Sequence, residues 1–561
     1  MWIRSGSYGS IRELAESRPG AIYDIPDYMN KADLPHICGL DEGCKLLKSH
    51  IEKAKRGEES GIAIVTDYDA DGITSGTIMK KTIDFLTGTS CCRLVCPNRF
   101  SDGYGVSMQM IDSLISDHTS LIILTDNGIT KNDEVKKARD NGADVLIIDH
   151  HLPSDNLPDA TVIIDPWATG KSEFNDYCAA GLAYRMARLL LSTEVDRSFD
   201  LERELLFLSA IGTVSDMVPL LNENRVIVKE GLSIIPENWS ALIDELLGDN
   251  KSTLTTDDVG FTVGPCLNSV GRYGILDEEM LGRFCFGDSE LGKLLRETNQ
   301  KRKEDTAVAV QLAEQLIERY NLQNEKMFIL YIYPAYQGVL GIASSNIAQK
   351  YKRPVILLSS SEENKWEAVG SARSYGNFNI KEMLDKCSEK LIKYGGHSSA
   401  AGLSLNVMDI GQFTKMALYN SIDITSDNVM CYDFEINTSR DLGAIYSELE
   451  KYGPYGIGNP APVFKINNYQ LFSSAKDKAQ IIGRTKEHIR LNGVKYSATY
   501  FGGAKKYYDL GKPDELTLYG KIKKQVFHSR ERIEIEVMDI EPVKVSAKRT
   551  ALADRIASLF D

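Results

Sequence analysis

The sequence predicts an α/β protein: a doubly wound parallel sheet, a long helical connector, a second α/β unit and a small C-terminal β-barrel. Three observations carry that expectation. Short β-branched runs at 61–66, 92–97, 121–125, 144–148 and 161–165 alternate with polar, helix-compatible stretches, the rhythm of a parallel sheet covered on both faces. The alternation restarts at Met327-Phe328-Ile329-Leu330-Tyr331-Ile332 and continues through Pro354-Val355-Ile356-Leu357-Leu358. From about residue 425 the pattern changes to short alternating strands with turn signals, such as 479–483, 488–491 and 516–520, as in a small barrel.

Taken in order, residues 1–58 read as a helical lead-in, ending in Asp41 to Arg56 with Leu46, Leu47 and Ile51 at helical spacing. Residues 59–235 form the first sheet domain, whose later part is helical at Ala179–Leu191 and Leu201–Ile211 and closes in Gly212-Thr213-Val214-Ser215-Asp216. A helical connector follows over 236–324, where Ser289 to Tyr320 is long enough to space two lobes. The second α/β unit spans 325–424, the barrel 425–548, and a tail 549–561.

A chain of 561 residues is too long for a single hydrophobic core. With 43% hydrophobic and 26% charged residues the composition is that of a folded globular protein. No apolar run is long enough to cross a membrane, and Met1-Trp2-Ile3-Arg4-Ser5-Gly6 lacks a signal-peptide core, so a soluble cytoplasmic protein is expected. Its ten cysteines lack the spacing of a disulfide framework or a zinc site, and ordinary reduced thiols are expected. The net charge of −14 argues at first against a nucleic-acid partner. The distribution answers that objection, because residues 465–550 hold 18 Lys and Arg against 10 Asp and Glu.

The most informative pattern is chemical. Ile62-Ala63-Ile64-Val65 runs into Thr66-Asp67-Tyr68-Asp69-Ala70-Asp71-Gly72, Leu121–Leu124 into Thr125-Asp126, and Val145–Ile148 into Asp149-His150-His151. In an open parallel sheet the carboxyl ends of the strands form the ligand crevice, so these side chains should converge. Asp67, Asp69 and Asp71 alternate and can face one crevice, and Gly72 permits a tight turn into the next helix. An EF-hand is excluded, because Ile78 stands where the twelfth-position Glu belongs. Carboxylates and imidazoles with no Lys or Arg in the same motifs repel one another, and a pair of divalent cations, Mn²⁺ or Mg²⁺, is the simplest remedy. Asp216, at the end of the helical run, is either a further carboxylate of the site or a helix cap. Arg272, Arg373 and Gly395-Gly396-His397 read individually as a surface ion pair or a tight turn; beside Ser371 or Gly271, the same residues could cradle a phosphate.

These motifs resemble those of the DHH phosphoesterase superfamily in order and spacing. Pro97-Asn98-Arg99-Phe100 with Asp102-Gly103-Tyr104-Gly105, Leu267-Asn268-Ser269-Val270-Gly271-Arg272, Gly370-Ser371-Ala372-Arg373-Ser374, Gly395–Gly402 and Pro454–Pro460 are similar to the RecJ family of single-stranded-DNA exonucleases. The likeness runs from about residue 35 to 543. It implies one metal on Asp71, Asp126, His150 and Asp216, and another on Asp69 and the bridging Asp126 with Asp67 close by. His151 would meet the scissile phosphate, with Asp126 and Asp149 completing the catalytic set. Arg99, Tyr104, Asn268, Arg272, Ser371, Arg373 and His397 would bind the substrate, several of them at a terminal 5′ phosphate. The last domain resembles an OB barrel, with Arg484, Lys486, Arg490, Tyr496, Tyr500, Phe501, Lys521, Lys523 and Lys524 as candidates for single-strand contact. Cys266, Tyr336 with Gln337, and Asn346 depart from the family pattern, which usually has Arg, Trp-His and Arg there.

The expected activity is therefore metal-dependent hydrolysis of single-stranded DNA from the 5′ end to nucleoside 5′-monophosphates, in DNA repair and recombination. Strand polarity and the preference for DNA come from the resemblance alone. The chain is expected to act as a monomer, with a single-strand-binding protein or a helicase as partner. Three rivals are weaker. A phosphodiesterase for short RNA or cyclic dinucleotides needs no long basic groove, a non-catalytic scaffold needs no intact Asp and His set, and a pyrophosphatase needs a much shorter chain.

Overall fold

Strands β1 (Gly61–Thr66), β2 (Cys92–Val95), β3 (Thr119–Thr125), β4 (Asp144–Ile148) and β5 (Val162–Ile164) form one all-parallel sheet in the order β2-β1-β3-β4-β5. The computed structural model describes residues 2–18, 28, 34–58, 61–192, 195–361, 364–421, 429–472, 478–483, 486–527 and 530–543. The sheet carries near-continuous apolar runs because both faces are covered: Ile64, Leu121, Ile122, Ile123 and Leu146 have no exposed surface. Chain order reverses between β1 and β3, so their carboxyl ends diverge into a crevice there. The helix α1 (Leu40–Lys55) precedes the sheet, and α2 (Ala70–Thr87), α3 (Met108–Ser116) and α4 (Asn132–Asp140) connect its strands. Behind α2 pack α5 (Ala179–Leu191) and α6 (Val195–Ser215). Gly212 makes that packing possible, since a Cβ there would fall 2.5 Å from Ala180 Cβ and 2.9 Å from Asp71 Oδ1.

In the connector, α7 (Gly264–Tyr273) packs on the long helix α8 (Ser289–Arg319) and reaches back to α2 and α6. Gly271 has no room for a side chain because Tyr68 O would lie 2.3 Å from its Cβ. The second α/β part holds a mixed sheet in the order β9 (Lys393–Gly396), β10 (Ala400–Asn406), β8 (Glu367–Arg373), β7 (Val355–Ser360), β6 (Phe328–Tyr331), with α9 (Leu340–Tyr351) against it. Only the β6–β7 pair is parallel.

All of this belongs to one compact unit, Asp27–Val218 with Val226–Asp427; the other comprises Met1–Pro26, Pro219–Arg225 and Asn428–Asp561. The second unit is a seven-stranded OB-like sheet: β11 (Phe434–Asn437), β12 (Phe464–Gln470), β13 (Ala479–Ile482), β14 (His488–Asn492), β15 (Ser497–Tyr500), β16 (Glu515–Phe527) and β17 (Arg530–Pro542). Its core includes Leu442, Ile466, Leu491, Leu516, Leu518 and Ile535. The hairpin β16–β17 bends at an irregularity beside Gly520, where a Cβ would lie 2.4 Å from Glu536 O.

The helical lead-in over 1–58 needs correction. Trp2–Arg4 is a strand that pairs in parallel with Met430–Tyr432, and Trp2 stacks on Tyr519 at 4.4 Å while its indole N–H donates to Asp539 at 2.9 Å. The start of the chain therefore packs with the C-terminal unit, whereas α1 packs in the unit of the first sheet. The tail expected at 549–561 lies outside the described residues. Among the described residues no helix is long and apolar enough to cross a membrane.

Candidate metal centre and phosphate cavity

The carboxylates that end β1, β3 and α6 and the imidazoles that follow β4 meet in the crevice. Asp69 caps α2, its Oδ1 accepting the N–H groups of Asp71 and Gly72 at 3.0 and 3.1 Å. Gly72 is required there because Asp67 O would lie 2.5 Å from a Cβ. Asn268 of α7 fixes the same turn by accepting the Ala70 N–H at 2.8 Å. Asp71 accepts from the N–H groups of Ala179 and Ala180 at 2.7 and 2.9 Å, where the positive end of α5 favours a carboxylate. Asp126 adopts φ +62, an uncommon conformation for a residue with a side chain, and its N–H donates to Ile148 O at 3.0 Å.

His150 Nε2 lies 3.2 Å from Asp126 Oδ1 and 3.7 Å from both Asp71 Oδ2 and Asp216 Oδ2. Three sets, Asp71-His150-Asp216, Asp67-Asp69-Asp126 and Asp126-His150-His151, each bring their ligand atoms within 4.8 Å of one another. Asp67 thus stands with Asp69 and Asp126 as a full member of its set. Its Oδ1 is buried with no hydrogen-bond partner among the described residues. Burial and then Asp69 push Asp67 well above the usual carboxylate range. Burial, then Asp69, Asp71 and Asp67, do the same to Asp126. Asp216 is pushed up to about 8 by burial and by Asp71 and Asp69. Buried carboxylates that raise one another in this way are a repulsive cluster, and the orphaned Asp67 oxygen is a lone-pair acceptor without a hydrogen-bond donor. That donor set, carboxylate oxygens with imidazole nitrogen, fits Mn²⁺ or Mg²⁺.

Asp149 stands apart from the ligand sets. It is buried, and its oxygens accept the N–H groups of Ile129, His150 and His151 at 3.0, 2.8 and 3.2 Å and contact His151 Nδ1 at 2.8 Å. Burial alone would raise it, but the hydrogen bond and charge of His151 and the Ile129 N–H hold it below the usual range. In return, burial would lower His151, yet the hydrogen bond and charge of Asp149 hold it up to about 9. Tyr104 closes this side: its hydroxyl donates to Asp126 O at 2.8 Å and touches His151 at 3.1 Å.

Next to the acidic cluster lies a cavity of about 390 Å³ lined by Arg99, Arg272, Ser371 and Arg373 with the glycines 338, 341, 370, 395, 396 and 402. The Arg99 guanidinium lies over the Tyr68 ring, 5.4 Å from its centre. Arg373 donates to Ser345 Oγ at 3.1 Å and to Ser371 Oγ at 3.0 Å. Burial, then Arg99 and Arg302, push Arg272 down to about 10. Guanidinium groups gathered without a carboxylate between them suit an anion.

The structure does not bring every expected residue here. His397 is exposed in the turn between β9 and β10 and does not line the cavity. Asn268 is committed to Ala70, and Tyr104 to the acidic cluster. In the OB-like unit Arg490 pairs with Glu534 at 3.6 Å, Lys523 with Glu536 at 2.6 Å and Lys524 with Glu450 and Glu531 at 3.3 Å. Tyr496 and Tyr500 pack against the core and bond Asp441 and Asp539, so they are not free stacking faces. Phe501 and Lys486 are exposed, Lys521 is half-buried, and Arg484 lies outside the described residues. Of the departures from the family pattern, Cys266 is buried and accepts from Asn299 Nδ2 at 3.2 Å, and Tyr336 stacks on Tyr273 at 4.7 Å. Asn346 is exposed on α9.

Residues 61–213 match the DHH family N-terminal domain, 324–419 the DHHA1 domain and 432–539 the RecJ OB domain. The single-stranded-DNA-specific exonuclease RecJ of Bacillus subtilis is 32% identical over 468 residues, 81% of this chain and 56% of the relative, so the chain spans just over half of that relative's length. RecJ of Salmonella typhimurium is 33% identical over 405 residues, 67% of this chain and 68% of the relative. Solved structures of RecJ from Thermus thermophilus share the fold. The Mn²⁺ complex has a TM-score of 0.74 at 24% identity, over 92% of this chain and 74% of that one. The Mg²⁺ complex has a TM-score of 0.66 at 22% identity, over 92% and 72%. With its matched domains in this order and relatives of this identity, the chain belongs to the RecJ family of single-stranded-DNA-specific exonucleases.

Proposed function

We propose that this chain is a metal-dependent exonuclease that degrades single-stranded DNA from the 5′ end and releases nucleoside 5′-monophosphates. The observation that carries the reading is the adjacency of two sites of opposite charge. Seven Asp and His side chains converge within 4.8 Å sets, beside a cavity built around Arg99, Arg272 and Arg373. Two divalent cations held there would supply neutralising charge for the phosphodiester and would lower the pKa of a water. Asp71, His150 and Asp216 would hold one ion, and Asp67 and Asp69 the other, with Asp126 between them.

The protein's own groups do the rest. The arginine cavity takes the terminal 5′ phosphate and so sets which bond lies on the acidic cluster. His151, protonated through Asp149, donates to a non-bridging oxygen of the scissile phosphate. Asp149 keeps that imidazole charged and oriented, and Tyr104 limits its swing. As the water oxygen bonds to phosphorus the bond to the 3′ oxygen breaks, the proton lost by the water is balanced by one taken up from solvent at the 3′ oxygen, and a nucleoside 5′-monophosphate is released from the cavity. A cytoplasmic role in DNA repair and recombination, as a monomer working beside a single-strand-binding protein or a helicase, accompanies this reading.

A time course on 5′- and 3′-labelled single and double strands with Mn²⁺ and with Mg²⁺ tests it. Mononucleotide released first from the 5′ label of single strands is expected. Release from the 3′ label first, or equal attack on duplex, would overturn it.

A further inference from the structure

The two ends of α7 bracket the acidic cluster. At the C-terminal end Gly271 rests on Tyr68 and Arg272 lines the arginine cavity. At the other end Gly264 rests on Ser215, with Ser215 Oγ 2.5 Å from where a Cβ would be, one residue before Asp216. Just ahead of Gly264 the chain makes a π-helical turn, Val259–Val263, a backbone form that concentrates at functional positions. That turn buries Val259 and Val263 and leaves Phe261 74% exposed, with Gly260 beside it open to solvent. Met217, the residue after Asp216, is 65% exposed at φ +61. A single exposed apolar side chain is ordinary on a protein surface. Phe261 differs because an irregular turn holds it out three residues before Gly264, the glycine that rests on Ser215 next to Asp216.

We infer that Phe261 is a base-stacking residue for the single strand, holding a nucleobase on the 3′ side of the scissile bond. The inference rests on the exonuclease reading and extends it to the rest of the substrate. A strand anchored by its terminal phosphate at Arg272 and cut at the cluster must continue toward Gly264. The backbone path from Arg272 to Phe261 is roughly 16 Å at about 1.5 Å per residue, a span of a few nucleotides of single strand. The acidic cluster repels phosphate wherever cations do not cover it, so affinity beyond the cut has to come from something other than charge. An aromatic face supplies it for any base sequence, because every nucleobase presents a π face.

The measurement is the chain-length dependence of cleavage in Mn²⁺, comparing a 5′-phosphorylated dinucleotide with an octanucleotide, for the full chain and for Phe261→Ala, Phe261→Leu and Phe261→Trp. In the unaltered protein KM should fall as the strand lengthens. In Phe261→Ala the octanucleotide KM should rise by roughly 5- to 150-fold, the range for loss of one stacked base, with kcat and all dinucleotide parameters unchanged. Trp should restore the octanucleotide KM and Leu should not. As a binding readout, 2-aminopurine near the 5′ end, in EDTA, should be quenched by the unaltered protein and not by Phe261→Ala. An unchanged octanucleotide KM in Phe261→Ala, or equal losses on both lengths, would overturn the inference. If the unaltered protein cleaves neither substrate, it is the exonuclease reading that fails.

Discussion

His151 Nδ1 sits 2.8 Å from an oxygen of Asp149, a carboxylate buried beneath the backbone N–H groups of residues 129, 150 and 151. The pair is a fixed charge couple: Asp149 cannot move, and His151 is held up to about 9 against the effect of its own burial. Asp149→Asn keeps the shape and removes the charge. His151 should then titrate near its ordinary value of about 6.5, and kcat/KM at pH 8 should fall roughly 10- to 100-fold, as for other groups that orient a site's first contacts. The defect should shrink as pH drops below that value and His151 recharges. A loss independent of pH would assign Asp149 a purely structural role.

Removing one charge from the cluster should stabilise the metal-free protein. Asp126 is raised by burial and by four neighbouring carboxylates, so Asp126→Asn relieves repulsion. In EDTA its Tm should exceed that of the unaltered chain. Mn²⁺ at a hundredfold excess over Kd stabilises an intact site by about 2.7 kcal/mol, and the variant should lose most of that gain along with all hydrolysis. Calorimetry with and without Mn²⁺ reads both. A lower Tm in EDTA would contradict the repulsive cluster.

The pH dependence of stability follows from Asp216. Its carboxyl is held at about 8 in the folded, metal-free protein against 3.8 as the ordinary value. Between these limits the folded state binds more protons than the unfolded state, so this group makes stability fall as pH rises from about 4 to 8. Asp216→Asn should flatten that part of a denaturation-versus-pH curve measured in EDTA. An unchanged slope would place the titration elsewhere.

Arg272 and Arg373 should report on the end of the strand. Arg373→Ala removes a guanidinium that Ser345 and Ser371 hold in place, and the advantage of a 5′-phosphorylated over a 5′-hydroxyl substrate should fall roughly 10- to 100-fold. Arg373→Lys should recover little, because an ammonium cannot repeat the fork. A preference that survives in Arg373→Ala would move the terminal phosphate out of this cavity.

The metal centre was legible because its cause is local. Runs buried on both faces end at Thr66, Thr125 and Ile148, and each acidic motif begins at the next residue, so strand ends could be counted directly from the sequence. Three features were not legible. Trp2–Arg4 pairs with residues more than 400 positions away, and short strands carry no signal of such a partner. Asp149 ends a strand as Asp126 does and was expected beside His151 without a metal, but only the fold shows its oxygens occupied by backbone donors. Arg490, Lys523 and Lys524 looked available for DNA because the acids that neutralise them lie on neighbouring strands or distant segments. The role of Asn268 in fixing the start of α2 could have been suspected only from its placement beside Arg272.

The central claim is that two cations share the crevice between β1 and β3. Anomalous scattering from a crystal soaked in Mn²⁺ tests it most directly. The account predicts two peaks about 3.5–4 Å apart, one among Asp71, His150 and Asp216 and the other among Asp67 and Asp69, with Asp126 touching both. A crystal with no peak at these residues, or with manganese bound only elsewhere, would contradict it.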